Sequence, residues 1–140
     1  MYPHTRFLGT LSAAQQSKVT QVCQLCSIDD ALANQPLNAL SDGEYQRVSL
    51  ATAICQQTPF ILLDEPTAHL DVVQRQATFE LLKRLAHEQN IGIIICSHEI
   101  HLILRYTDTL ILLGGDGTYT YGQSSELAHN PTLHRIFPIF

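Results

Sequence analysis

Twelve consecutive residues constrain this chain more than any others: Phe60-Ile61-Leu62-Leu63-Asp64-Glu65-Pro66-Thr67, then Ala68-His69-Leu70-Asp71. Four apolar residues run directly into two adjacent carboxylates, and a proline follows. An apolar run without alternation predicts a strand buried on both faces, as in a parallel sheet. Carboxylates at the carboxyl end of such a strand sit where open α/β sheets bind ligands. No lysine or arginine lies among the twelve. The pair therefore points to a metal ion and a general base rather than to a salt bridge. The plainer alternative is a strand end whose acids cap neighbouring loops.

The 140 residues amount to one domain or part of one, long enough to bury a core. With 45% hydrophobic and 15% charged residues, the chain reads as globular. A net charge of −5 gives no support for nucleic-acid binding or a polybasic membrane contact. No apolar run approaches the roughly 20 residues of a membrane span, so no direct membrane insertion is expected. The opening Met1-Tyr2-Pro3-His4-Thr5 lacks the charged and apolar regions of a signal peptide. A cytosolic chain is the expectation.

Residues 1–11 read as an irregular lead-in. Ser12 with Gln15 forms a capping box opening a helix to about Ile28. Asp29-Asp30 starts a short helix through Ala33, and Asn34-Gln35-Pro36 breaks it. A third helix follows Ser41 to about Gln57. Thr58-Pro59 then leads into the strand at Phe60. Asp71 is placed to cap a long helix, Val72 to Gln89, with Phe79, Leu82, Leu85 and Ala86 as its apolar stripe. Gly92 to Cys96 reads as a second buried strand, Glu99 to Tyr106 as a helix, and Thr109 to Leu113 as a third strand. Gly114-Gly115-Asp116-Gly117 turns into a hairpin partner, Thr118 to Tyr121. Ser124 is placed to cap a short helix, another starts at Pro131, and the tail Phe137-Pro138-Ile139-Phe140 is apolar. The order predicts α/β: a helical subdomain (residues 1–57), then a parallel-sheet core with a C-terminal hairpin (residues 58–140).

Cys23 and Cys26 form a C-x-x-C, but no second pair completes a zinc site. At helical spacing with Val19, Val22 and Leu25 they read as small core residues. Ser97-His98-Glu99-Ile100-His101 gives H-E-x-H, not the H-E-x-x-H that places two histidines on one helix face.

Three stations now stand in order: Leu40-Ser41-Asp42-Gly43-Glu44 opening a helix, the Phe60–Asp71 stretch, and His98 past the next strand. Together they resemble the C-terminal part of the ATP-binding cassette (ABC) nucleotide-binding domain, a P-loop NTPase fold, over nearly the whole chain. The resemblance implies a signature segment at Leu40–Glu44 that meets the γ-phosphate of ATP held by a second protomer. A helix N-terminus suits that task, with free N–H groups, the Ser41 hydroxyl and a glycine at 43. A plain Ser-x-x-Glu capping box is the local alternative. The family usually has Leu-Ser-Gly-Gly-Gln; Asp42 and Glu44 depart from it, and Asp42 sets a carboxylate near a polyphosphate.

The resemblance further implies that Asp64, ending the Walker B strand, holds Mg²⁺ largely through water. Glu65 would act as general base on the attacking water, Ala68-His69-Leu70-Asp71 as the D-loop at the dimer interface, and His98 as the switch histidine. ATP and Mg²⁺ are the implied cofactors. A second ABC ATPase protomer and transmembrane permease subunits are the implied partners, with the chain peripheral on the cytoplasmic face of the inner membrane. Tyr2-Pro3-His4-Thr5, Ala68–Asp71 and Ser97-His98-Glu99-Ile100 resemble importer ATPases for iron-siderophore, heme and cobalamin.

A G-x-x-x-x-G-K-[ST] P-loop does not occur: the lysines are Lys18 and Lys83, and neither follows a glycine. The resemblance places the family's first strand, P-loop and glutamine loop upstream of this sequence. The expectation is then an ATPase portion inactive alone, with exposed sheet edges. The alternatives are a non-catalytic binding module that lends its signature helix and dimer surface, or a truncated gene product.

Overall fold

The computed structural model describes residues 12–137. Readings that fall on residues 1–11 or 138–140 lie outside them. Two compact units divide the chain, with the boundary between Ile61 and Leu62.

The first unit is helical. Helix α1 (Ala13–Leu25) opens on the predicted Ser12–Gln15 capping box. It stops three residues before the expected end. Cys26 is the C-cap and Ser27 takes a left-handed backbone (φ 54°), so the chain turns before Ile28. The side chain of Asp29 accepts from Leu32 N–H and starts α2 (Asp30–Ala33). A single 3₁₀ turn (Leu37–Ala39) leads to α3 (Asp42–Cys55), capped by Ser41. Among the described residues, Val22, Cys26, Ile28, Leu32, Leu50, Ala51, Ile54 and Ile61 are the unit's buried apolar side chains. Arg47 of α3 donates to Ser27 O at 3.1 Å, fastening the end of α1.

Cys26 is therefore part of the core, and Cys23 is half-buried. Burial first, then the neighbouring Cys23 and Cys55, pushes the Cys26 thiol up to about 11. Thiolate is the reactive species, so Cys26 is expected to be the slowest cysteine toward a maleimide at neutral pH. The exposed Cys96 is expected to react first. Mass-mapped labelling over time checks this; Cys26 labelling alongside Cys96 would contradict the packing.

Strand β1 (Phe60–Asp64) pairs with β2 (Gly92–Cys96) in a two-stranded parallel sheet, joined through α4 (Val72–Gln89). Asn90 ends α4 in the left-handed conformation that asparagine tolerates (φ 53°). The α4 stripe is Phe79, Leu81, Leu82 and Leu85, with Ala86 only half-buried. Helix α5 (Ile100–Tyr106) precedes β3 (Thr109–Leu113), which pairs antiparallel with β4 (Tyr119–Gln123). The hairpin register puts Ile111 opposite Tyr121 and Leu113 opposite Tyr119. Gly114 closes the turn against Thr118, where an added Cβ would lie 2.6 Å from the Thr118 hydroxyl. Helices α6 (Ser124–Leu127) and α7 (Pro131–Ile136) finish the chain. Ser124 is the first residue of α6, not its cap, and its hydroxyl bonds Thr107 at 2.9 Å. One core joins α4 to the hairpin: Phe79, Ile100, Ile103, Leu110, Leu112, Leu127 and Leu133.

One expectation needs correction. β1 and β2 are not buried on both faces. Ile61 is 5% exposed, but Phe60, Leu62 and Ile94 are 65%, 75% and 56% exposed. The reason is architectural. Each strand belongs to a two-stranded sheet, and among the described residues only one face of β1 and β2 is covered. Apolar composition can report a strand's suitability for burial on both faces, but not the presence of a second covering layer.

Candidate functional site

The acids leave β1 through a sharp turn. Glu65 takes a left-handed backbone (φ 44°), and its N–H donates to Cys96 O at 2.9 Å. Outside glycine this conformation costs roughly 1 kcal/mol or more, so it persists only where surroundings fix it. Here β2 supplies that fixation. The turn continues through Ala68 N–H to Glu65 O and Leu70 N–H to Thr67 O, at 3.2 and 3.1 Å. Asp71 then caps α4 by accepting from Gln74 N–H at 2.8 Å, as its position in the sequence predicts.

Because β1 and β2 are neighbours, their carboxyl ends lie together. His98 Nδ1 is 2.8 Å from Glu65 Oε1, and the Ser97 hydroxyl donates to Glu65 Oε2 at 3.4 Å. The hydrogen bond from Glu65, and then its charge, raises the His98 pKa above its ordinary value; Glu99 adds to this and Arg75 opposes it. Residues 33 apart in sequence thus share one polar centre at a strand end. It pairs a carboxylate with a proton-binding imidazole, the equipment of general acid–base chemistry.

Asp64 is exposed, and its carboxylate makes no hydrogen bond or ion pair among the described residues. A free hard-oxygen ligand suits Mg²⁺, which keeps several waters and takes one or two carboxylates beside phosphate oxygens. The donor chemistry fits that ion. His69 is exposed and Leu70 is buried.

Behind the turn, Thr67 is 0% exposed, and its hydroxyl has no partner among the described residues. A buried unsatisfied hydroxyl carries its full desolvation penalty. Thr67→Val is therefore expected to raise stability by about 1 kcal/mol, read as a higher urea midpoint at unchanged slope. A lower midpoint would show that the hydroxyl has a partner.

In the first unit the segment Leu40–Glu44 forms the start of α3. Ser41 and Glu44 make a complete capping box: the Ser41 N–H and hydroxyl donate to Glu44 Oε2 at 2.8 and 2.7 Å, and Glu44 N–H donates to Ser41 Oγ at 3.4 Å. The Ser41 hydroxyl, then its backbone N–H, holds the Glu44 carboxyl below its usual range. Asp42 lies in the first helical turn and Gly43 is half-buried. Both local readings of the segment therefore share one geometry. The helix N-terminus is present, and in this conformation Glu44 occupies its cap.

The structure adds three contributors to which the sequence assigns no role of their own: Ser97, Arg75 and Glu99. Arg75 Nε donates to Leu70 O at 2.7 Å, and Arg75 NH1 lies 2.9 Å from Glu99 Oε1. Ser97 could have been found from its place beside His98 at a strand end. Nothing local marks Arg75, which meets Glu99 only through the fold.

An apolar strand, two acids, a capped helix and a histidine after the neighbouring strand thus stand in the order that the sequence shares with ABC cassettes. Comparison with known proteins names the family. A model of the ABC transporter family matches residues 2–68. A hemin import ATP-binding protein from Shewanella denitrificans is 34% identical over 93% of this chain and 54% of its own length. A vitamin B12 import ATP-binding protein from Photobacterium profundum is 36% identical over 87% of this chain and 50% of its own. An achromobactin transport ATP-binding protein from Dickeya dadantii is 30% identical over 97% and 50%. Among solved structures, a dimeric bacterial ABC transporter cassette superposes with a TM-score of 0.73 at 28% identity, over 84% of this chain and 51% of that one. A metal-chelate-type ABC transporter in an inward-facing conformation gives 0.78 at 24% identity, over 96% and 54%, which speaks to fold alone.

The chain belongs to the ABC transporter ATP-binding proteins, and its fold is that of the ABC ATPase cassette. It spans about half the length of the curated relatives it matches.

Proposed function

We propose that this chain forms the signature-to-switch portion of an ABC importer ATPase, a machine that hydrolyses ATP between two protomers to drive a membrane permease. The observation that carries the reading is the Glu65–His98 contact at 2.8 Å, immediately after Asp64 at a paired strand end. In this reading Asp64 holds Mg²⁺, which neutralises charge on the transferring phosphoryl group. Glu65 polarises the attacking water, and His98 keeps that carboxylate oriented and meets the γ-phosphate. Leu40, Ser41, Asp42, Gly43 and Glu44 face the ATP of the partner protomer, and Ala68, His69, Leu70 and Asp71 line the dimer contact. For Ser41 to reach a phosphate, the Glu44 cap must open. Residues up to about 57 act as the helical subdomain and the remainder as the catalytic core.

The names of the relatives support an importer of hemin, siderophore or cobalamin type; this reading puts the chain on the cytoplasmic face of the membrane beside its permease. No described helix is long and apolar enough to cross a membrane.

The 140 residues contain no P-loop sequence. Without its lysine and backbone N–H cradle, the acids have no polyphosphate held against them. Turnover then requires that cradle from further residues of the same polypeptide or from another chain. The test is to mix the chain with a polypeptide carrying the P-loop half of an ABC ATPase and to measure Mg²⁺-dependent ATP hydrolysis. We expect no turnover from the chain alone, and turnover in the mixture that Ser41→Ala reduces. Hydrolysis by the isolated chain that Glu65→Gln abolishes would overturn the requirement for a cradle. Indifference of the mixture to Ser41→Ala would overturn the role of the signature segment.

A further inference from the structure

Arg75 lies on the first turns of α4, away from the Glu65–His98 contact, yet it joins two segments that flank the site. Its Nε–H donates to Leu70 O at 2.7 Å, just before the Asp71 cap. Its NH1 pairs with Glu99 Oε1 at 2.9 Å. The Glu99 side chain is only 10% exposed. A carboxylate so far removed from water is sustained by an opposite charge, and truncating one partner of such a pair leaves the other uncompensated. The planar guanidinium makes the double contact achievable, because Nε–H and NH1 face different directions from one rigid plane; the Leu70 contact is a hydrogen bond and the Glu99 contact an ion pair, since Glu99 Oε1 has no hydrogen-bond partner among the described residues. A lysine ammonium has one nitrogen and no such plane.

From Glu99 the connections run toward the site. Glu99 N–H donates to the Ser97 hydroxyl at 3.2 Å, and that hydroxyl donates to Glu65 Oε2 at 3.4 Å. His98 lies between Ser97 and Glu99 in the chain, and its ring meets Glu65 Oε1. Glu99 O also accepts from Leu102 and Ile103 N–H, both at 3.0 Å, which roots the segment in α5. The bridge therefore reads Leu70 carbonyl, Arg75, Glu99, Ser97, Glu65, with His98 held at its centre.

We propose that Arg75 is a positioning residue that ties the Leu70–Asp71 turn to the Ser97–Glu99 segment, so that a displacement of either is felt at the Glu65–His98 pair. Its catalytic meaning rests on the ATPase reading above, but the bridge itself does not. In a working dimer it would convey the state of the turn, where that reading puts the partner protomer, to the groups that act on water. Neither Arg75 nor Glu99 touches the reacting groups.

The test uses the chain itself, free of nucleotide. Amide and imidazole resonances of wild type, Arg75→Ala, Arg75→Lys and Glu99→Gln are compared by NMR, with His98 titrated in each. Glu65, Glu99 and Arg75 are the charged groups acting on His98. Arg75→Ala removes a cation and frees Glu99, so the His98 midpoint moves up, and the Glu65 amide shifts together with those of Leu70 and Asp71. Glu99→Gln removes an anion, so the midpoint moves down. Arg75→Lys keeps the ion pair and returns His98 toward wild type, while Leu70 and Asp71 stay displaced. The opposite displacements of His98 follow from charge alone; the mark of a positioning role is the Glu65 amide moving together with those of Leu70 and Asp71, and the split rescue by lysine, neither of which a merely structural arginine would produce. Shifts confined to Leu70 and Asp71, with Glu65 and His98 unmoved in both Arg75→Ala and Glu99→Gln, would overturn the proposal. Should Arg75→Ala not fold, Glu99→Gln and Arg75→Lys decide the matter by the same criteria. None of these readouts depends on ATP hydrolysis, so failure of the bridge is separable from failure of the ATPase reading.

Discussion

Phe79→Ala is expected to remove a large share of the stability of the second unit, read as a much lower urea midpoint. Phe79 is 1% exposed and lies where α4, α5 and the hairpin converge. Its ring sits 6.3 Å from that of Tyr106, and Ile100, Ile103, Leu110, Leu112, Leu127 and Leu133 complete the same cluster. Truncation removes the transfer free energy of a buried ring and leaves a cavity that its neighbours fill only in part. Such changes cost about 3–5 kcal/mol, against a total of about 5–15 kcal/mol for a whole domain. The measurement is urea unfolding followed by circular dichroism. Phe79→Leu keeps most of the volume and is expected to lose much less. Equal losses for the two variants would mean that ring shape rather than filled volume sustains the cluster. The site depends on this core indirectly, because α4 and α5 carry Arg75 and the residues that follow His98.

Glu65→Gln is the second large effect, and it has two readouts. In an assembled ATPase that contains this chain, loss of a positioned general base is expected to lower turnover by about 10²–10⁴-fold. Little change in bound ATP should accompany it, since glutamine has nearly the same shape. In the chain alone the expected result is a downward move of the His98 midpoint, because Glu65 is the first cause of its elevation. The sign follows from linkage. A histidine whose folded pKa is raised binds protons more tightly when folded. The Glu65 contact therefore contributes stability fully below the ordinary histidine value of 6.5 and loses it as pH rises through the elevated folded value. The gap in urea midpoint between wild type and Glu65→Gln should accordingly be wider at mildly acidic pH than at pH 8. A His98 midpoint unmoved by the substitution would show that the 2.8 Å contact is not formed in solution.

The elements were legible because their signals are local. Ser12 with Gln15, Asp29, Ser41 with Glu44, and Asp71 all cap the helices their positions predict, since an N-cap needs only the next three residues to act. The β3–β4 hairpin was legible in its turn, where glycines allow a tight reversal. Helix ends were less so: Ser27 and Gln57 take left-handed backbones without being glycine or asparagine. The spacing on α4 predicts Ala86 where the structure buries Leu81, because spacing gives a helix face but not how far around the helix its burial extends. The composition of β1 suits burial on both faces, but it does not report what stands above the sheet, and Phe60 and Leu62 are exposed.

The amino-acid order by itself determined which residues are acids at a strand end, which helices begin where, and that the stations at Ser41, Asp64–Glu65 and His98 follow one another as in ABC cassettes. Only the tertiary structure decided which of them meet. The pairing of β1 with β2 brings residues 65 and 98 to 2.8 Å, and no pattern within either segment encodes that distance. The same holds for Arg75 on α4 and Glu99 just before α5, each an ordinary surface-type residue in the sequence until the turn at Leu70 and the start of α5 bring them together. Caps and turns are set by neighbours in sequence, whereas ion pairs across elements are set by how those elements pack.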